Sequence, residues 1–400
     1  MNMIPVSELK LGFKDAENYK QRENHELLNR IFVRTRTLEQ LCESSTYFLV
    51  GEKGTGKTAY AVYLANNDYK NNIASLRYIR ETEYQKFVSL KKSKHLSLSD
   101  YTNIWKVIIY LLLAQQIREK ENKFPLFGNL GKFNALKKAI DEYYQHAFSP
   151  EILYAIQFAE EARLAAEILA KHMGLEAKVG SEKKADIAFS ETRFQTNLLY
   201  IQKHFEDALR ALKLTQNHIL FIDGIDIRPL SILYEDYLEC VKGLANAVWS
   251  INSDFFANIK DSKGRLRVVL LIRPDIFNSL ELQNQNSKIR DNSAVLSWLT
   301  TYTEYRSSDL FLIADRLLSY QQKAVLPVGM AWDYYFPYNA PRVRSEQTHK
   351  SAFINFLRFS LYRPRDILTI LSIQKENFIE QRRRSTEVFS KMDFQLPAFT

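Results

Sequence analysis

The residues best suited to chemistry in this chain crowd into one short run, Gly51-Glu-Lys-Gly-Thr-Gly-Lys-Thr58. Glycines at Gly51, Gly54 and Gly56 let a backbone turn tightly enough for consecutive N–H groups to face a single anion. Lys57 adds an ammonium and Thr58 a hydroxyl. That spacing suits a polyphosphate, with Lys57 reaching the β- and γ-phosphates and the Thr58 hydroxyl offered to Mg²⁺. The concentration of glycine is itself informative. The chain has only 12 glycines in 400 residues, well under the usual share of about 7%, and three of them sit in this loop.

Such a loop works only if a strand delivers it and a helix leaves it. Tyr47-Phe-Leu-Val50 reads as a buried strand, and AYAVYLANND from Ala59 reads as a helix running to about Asn66. The helix adds the positive end of its dipole to the same anion. A second apolar run, His218-Ile-Leu-Phe-Ile-Asp223, predicts a strand ending in a carboxylate, which suits Asp223 to the shell of the same cation. A third strand, Arg267 to Ile272, ends in Arg273-Pro274-Asp275. A cation at such a tip can stabilise a terminal phosphate; the alternative is an ion pair between Arg273 and Asp275 or another loop carboxylate. In Ser360-Leu-Tyr-Arg-Pro-Arg-Asp-Ile-Leu368, Pro364 suits the first turn of a helix. Arg363 and Arg365 then stand at its start, to reach back to a nucleotide or to pair with Asp366.

With these four elements in this order the chain resembles the AAA+/STAND branch of P-loop ATPases, and more closely bacterial stand-alone P-loop ATPases carrying a GEKGTGKT loop. The resemblance covers about residues 10–377 apart from an insertion. It implies a parallel sheet in which the third strand lies between the loop strand and the Asp223 strand. It implies ATP and Mg²⁺ as ligands. Nucleotide binding falls to Gly51, Glu52, Lys53, Gly54, Thr55, Gly56, Lys57, Thr58, Ala59 and Arg365, and the metal to Thr58 and Asp223. Catalytic roles fall to Lys57, Asp223, Asp226 and Arg273. Many AAA+ members place Glu directly after the strand carboxylate, whereas this chain has Gly224. The DGID run is closer to the STAND pattern DGxD and makes Asp226 the candidate for orienting the attacking water. Slow hydrolysis, fitting a switch better than a motor, is the implication.

The expected architecture is therefore α/β: a P-loop NTPase with a parallel sheet flanked by helices, a large all-helical insertion and a C-terminal helical lid. Residues 1–46 form a lead-in with a helix over Asn24 to Phe32 and a second helix capped by Thr37. Phe13, Phe32 and Val33 of this segment could meet a base, although core packing is the commoner use of such side chains. Residues 47–99 hold the first part of the core, with a strand over Ala74 to Ile79. The separation of Thr58 and Asp223 far exceeds the dozen or so residues one crossover needs, so 100–213 is read as the helical insertion. Its helical runs are Trp105 to Arg118, Ala135 to His146, Pro150 to Met173 and Gln195 to Leu214, with a linker over Gly174 to Lys184. Residues 214–300 return to the core, with a helix over Tyr234 to Asn258 and a last strand over Ser293 to Leu299. Residues 301–400 form the lid, with helices over Asp309 to Gln322 (capped by Ser308), Ser351 to Tyr362 and Pro364 to Lys375.

Composition excludes several other chemistries. Two cysteines, Cys42 and Cys240, cannot build a disulfide framework or a four-cysteine zinc site, and the seven histidines show no metal spacing. The first residues lack the apolar core of a secretory signal, and no run approaches the ~20 residues of a membrane span; a cytoplasmic protein with no membrane partner is the expectation. The net charge of +9 favours polyanionic partners. Lys91-Lys-Ser-Lys94, Arg382-Arg-Arg384 and the pair Arg34 and Arg36 are the basic clusters through which nucleic acid could bind, or else solvated faces. The leading function is a Mg²⁺-dependent ATPase acting as a nucleotide-controlled switch, with a protein partner or a second copy of itself. The alternatives are a nucleic-acid-associated ATPase of a bacterial anti-phage defence or DNA-processing system, and an assembly scaffold that hydrolyses little.

Overall fold

The computed structural model describes residues 3–79, 98–121, 205–225, 232–280, 291–340, 350–380 and 387–394, together with 199, 202, 203, 228 and 230. The predicted helices over Ala135 to His146 and Pro150 to Met173, and the linker over Gly174 to Lys184, lie outside them. A five-stranded parallel sheet flanked by helices is formed by β1 (Phe48–Val50), β2 (Asn72–Tyr78), β3 (Asn217–Asp223), β4 (Leu266–Ile272) and β5 (Ser293–Val295), in the order β2-β3-β4-β1-β5. The strand at 266–272 therefore lies between the loop strand and the strand ending at Asp223, as the resemblance implies. β4 is buried along its whole length and β3 along all but its first residue. Strands covered on both faces read as unbroken apolar runs, which is why both were legible.

The chain forms two compact units. One comprises Ser44–Leu49 and Asp68–Ser293. Here the sheet is covered by α4 (Leu98–Glu121) and α5 (Tyr234–Ser250), which pack against each other. Trp105 of α4 donates its indole N–H to the Cys240 carbonyl at 3.1 Å. Gln116, buried on the same helix, donates to the carbonyls of Ile73 and Ile219 and accepts from the Ser75 hydroxyl. The first helix of the segment 100–213 is thus part of the sheet's own cover. α5 runs on through a π turn, Ile251–Phe255, and a 3₁₀ turn to Asn258. Buried Asn252 in that turn donates to the Val268 carbonyl at 2.9 Å and accepts from the Val268 N–H at 3.0 Å. Its side chain takes the backbone pairing of β4 where β1 has not yet begun.

The other unit comprises Met1–Glu43, Val50–Asn67 and Ala294–Thr400. It holds α1 (His25–Ile31), α2 (Arg36–Cys42), α3 (Lys57–Asn66), α7 (Asp309–Ser319), α8 (Met330–Tyr335), α9 (Ala352–Arg358) and α10 (Pro364–Glu380); a short α6 (Pro274–Ser279) belongs to the first unit. Ser308 caps α7 as expected, accepting from the Phe311 N–H at 3.2 Å. Its core is aromatic: the Trp332 ring lies within 6 Å of Phe311, Phe336, Phe353 and Phe356. The cap expected at Thr37 is corrected. α2 starts at Arg36, so Thr37 lies inside it and Thr35 occupies the N-cap position. The Thr35 hydroxyl is paired at 2.5 Å with the Tyr60 hydroxyl, not with the helix backbone.

Candidate functional site

β1 runs straight into the glycine loop, and α3 begins at Lys57 with Gly56 as its N-cap. Gly54 and Gly56 have φ of +93° and +95°, a left-handed conformation open to glycine at little cost. Gly51 is needed for space instead: a Cβ there would stand 2.5 Å from the Thr55 hydroxyl oxygen. The Thr55 hydroxyl donates to the Glu52 carbonyl at 2.8 Å and braces the turn. Lys57 is buried, and its ammonium donates to the Gly51 carbonyl at 2.7 Å. A buried cation held against a backbone carbonyl, at the start of a ten-residue helix, favours an incoming anion. Glu52 and Lys53 at the loop tip are exposed, while Thr58 and Ala59 are half-buried.

Two residues of the C-terminal segment meet this loop. The Arg363 guanidinium donates to the Lys53 carbonyl at 2.6 Å, and the Arg365 backbone N–H donates to the Gly54 carbonyl at 3.3 Å. The structure therefore brings Arg365 to the loop through its backbone, while its guanidinium donates to the Lys14 carbonyl at 3.2 Å. Pro364 opens α10 as the sequence predicts. Tyr362, just before, holds a left-handed φ of +53°, a conformation that costs a bulky side chain energy. A contact the sequence did not point to is Trp298, whose buried indole N–H donates to the Thr55 carbonyl at 2.9 Å. The only available signal was general, since a buried indole N–H needs an acceptor. The expected strand over Ser293 to Leu299 ends at Val295, which releases Trp298 from the sheet.

In the other unit, buried Asp223 closes β3, and its Oδ1 accepts from the Gly224 N–H at 2.7 Å. Gly224 has φ of +92°. A Cβ there would stand 2.6 Å from the Ile79 carbonyl oxygen and 3.2 Å from the Ile79 nitrogen. Ile79 is pinned in place because its N–H donates to the Asp223 carbonyl at 2.9 Å. The position after the carboxylate therefore has no room for any side chain, glutamate included. Arg273 follows β4 and is paired with Asp275 at 3.0 and 2.5 Å, the ion pair that the sequence left open. Asp226 lies outside the described residues.

Phe32 stacks on Tyr63 of α3 with ring centroids 4.0 Å apart, and Phe13 packs edge-on to Tyr19 at 5.3 Å. Both rings are used in packing. Phe32 and Val33 also line a surface groove together with Asn29, Arg34, Leu312 and Arg316. Burial pushes the Tyr60 phenol well up, against the opposing hydrogen bond from Thr35, so it stays protonated in the neutral range. Of the basic clusters, 91–94 and 382–384 lie outside the described residues, and the Arg34 guanidinium donates to the Tyr63 hydroxyl at 3.0 Å. Among the described residues no helix is long and apolar enough to cross a membrane, and no group of His, Cys, Asp or Glu is arranged to hold a metal by itself. Comparison with protein-family models, curated proteins and solved structures finds no match to this chain.

Proposed function

We propose that this chain binds a nucleoside triphosphate, by preference ATP, at the glycine loop and hydrolyses it slowly with Mg²⁺, as a P-loop ATPase of AAA+/STAND type that serves as a nucleotide-controlled switch. The observation that carries the reading is the Lys57 ammonium, buried inside a left-handed glycine turn and held at 2.7 Å by the Gly51 carbonyl. A phosphate oxygen is a stronger acceptor than a peptide carbonyl and would replace it. The cradle fits such a group because a side chain at Gly51 would fill the turn.

In this reading Lys57 and the loop N–H groups bind the β- and γ-phosphates and Thr58 would offer its hydroxyl to Mg²⁺, while Asp223 at the end of β3 is the carboxylate suited to such a hard cation. The metal supplies charge neutralisation on the phosphates. Arg363 and Arg365 tie the C-terminal helices to the loop, so occupancy of the loop changes what those helices hold; this supports a switch. Gly224 removes the usual place for a glutamate base and supports slow turnover, with Asp226 retained as the candidate for orienting water.

Calorimetric titration with ATPγS and Mg²⁺ tests the reading. Wild type should bind, and Lys57→Ala should lose about 10–100-fold in affinity, the worth of a charge-assisted bond to a desolvated phosphate. Equal affinity in the two proteins would refute the assignment of the loop.

A further inference from the structure

Three successive loop carbonyls accept from donors outside the loop. The Lys53 carbonyl accepts from the Arg363 guanidinium, the Gly54 carbonyl from the Arg365 N–H and the Thr55 carbonyl from the Trp298 indole N–H, at 2.6, 3.3 and 2.9 Å. Among the described residues no peptide bond is cis. In a planar trans peptide the C=O of one residue and the N–H of the next point in opposite directions. A donor that holds the Thr55 carbonyl therefore turns the Gly56 N–H the opposite way, and Arg363 does the same for the Gly54 N–H through the Lys53 carbonyl.

We infer that Trp298 is a positioning residue for polyphosphate binding: its indole N–H fixes the Thr55–Gly56 peptide so that the Gly56 N–H faces the anion. The inference rests on the nucleotide reading above and adds to it a residue outside the loop. Glycine on both sides of Thr55 makes the peptide easy to rotate, with φ of +93° and +95° on flanking residues that carry no Cβ to resist. An unheld peptide would sample orientations in which its N–H misses the ligand, and the affinity would fall by the fraction of time spent there. The indole is suited to the task because its ring is buried at 8% exposure and it carries a donor with no competing acceptor.

The test uses the full chain and two probes, ATPγS with Mg²⁺ and inorganic pyrophosphate, which needs the loop alone. Trp298→Phe keeps a ring and removes the N–H. It should weaken both probes about 3–10-fold, the effect of one hydrogen bond of ordinary strength. The second readout is the Trp298 indole ¹H–¹⁵N resonance of the wild type, identified as the one missing from Trp298→Phe. It should shift on adding pyrophosphate, and in Lys57→Ala it should stay in place. Affinities within twofold of wild type in Trp298→Phe, or an indole resonance unmoved by saturating pyrophosphate, would overturn the inference. Should Trp298→Phe fold poorly, Phe replacements of Trp105, Trp249 and Trp332 one at a time identify the same resonance by elimination. A wild type that binds neither probe would instead sink the nucleotide reading itself, and this inference with it.

Discussion

Replacing Gly224 by alanine should destabilise the protein through two separable effects. The first is conformational: at φ of +92° an L-residue costs roughly 1–2 kcal/mol. The second is steric. The new Cβ would approach the Ile79 carbonyl oxygen to 2.6 Å, and forcing a group into such a place costs about 1–3 kcal/mol. The sum is about 2–5 kcal/mol, equivalent to a fall in melting temperature of roughly 2–6 °C if the 400 residues melt together. Gly56→Ala is the natural control. Its φ is +95°, nearly the same, but the nearest atom to a new Cβ is 4.0 Å away, so only the conformational effect remains. Urea unfolding followed by circular dichroism should place Gly224→Ala below Gly56→Ala by about 1–3 kcal/mol. Gly224→Glu, which adds a carboxylate directly after Asp223, should be at least as unstable and should gain no turnover. Equal stability of the two alanine variants would refute the claim that Ile79 closes this position.

Asp223→Asn should retain nucleotide binding measured without metal while Mg²⁺-dependent phosphate release falls about 100-fold or more; turnover at the wild-type rate would place the metal-facing carboxylate elsewhere. Gln116→Leu, nearly equal in volume, removes donors from the carbonyls of Ile73 and Ile219 and should lower stability by about 1–3 kcal/mol. An unchanged urea midpoint would show that these bonds contribute nothing.

Much of the sheet was legible because its central strands are buried on both faces. The runs at 218–223 and 267–272 begin one residue inside the observed strands, and the loop with its following helix matches to the residue at Asn66. Ser308 and Pro364 were legible for a local reason, since caps and first-turn prolines act on their own backbone. Trp298 was not, because its acceptor is a loop carbonyl 243 positions away. Neither was the role of Gly224. In the sequence it reads as the absence of a glutamate, and only the approach of Ile79 explains it. The reach of α4 onto the sheet was missed for a related reason. Trp105 and Gln116 carry the periodicity of any amphipathic helix, and nothing local to them distinguishes an inserted helix from one covering strands. A deletion starting at 105 would therefore take Gln116 from the carbonyls of Ile73 and Ile219 and Trp105 from α5.

The donors that shape the glycine loop also set when it can form. Trp298 and Arg363 lie 243 and 310 positions beyond their acceptors. At ordinary synthesis speeds the loop leaves the ribosome roughly 15–60 s before Arg363 is made. During that interval β1 and α3 can assemble locally, but the Lys53, Gly54 and Thr55 carbonyls have only water as a partner. Contacts this distant in sequence are also the slow ones to close. The finished glycine loop is in this sense a late product of folding, and a nascent chain cut short before residue 298 would carry the complete loop sequence without the donors that hold these three carbonyls.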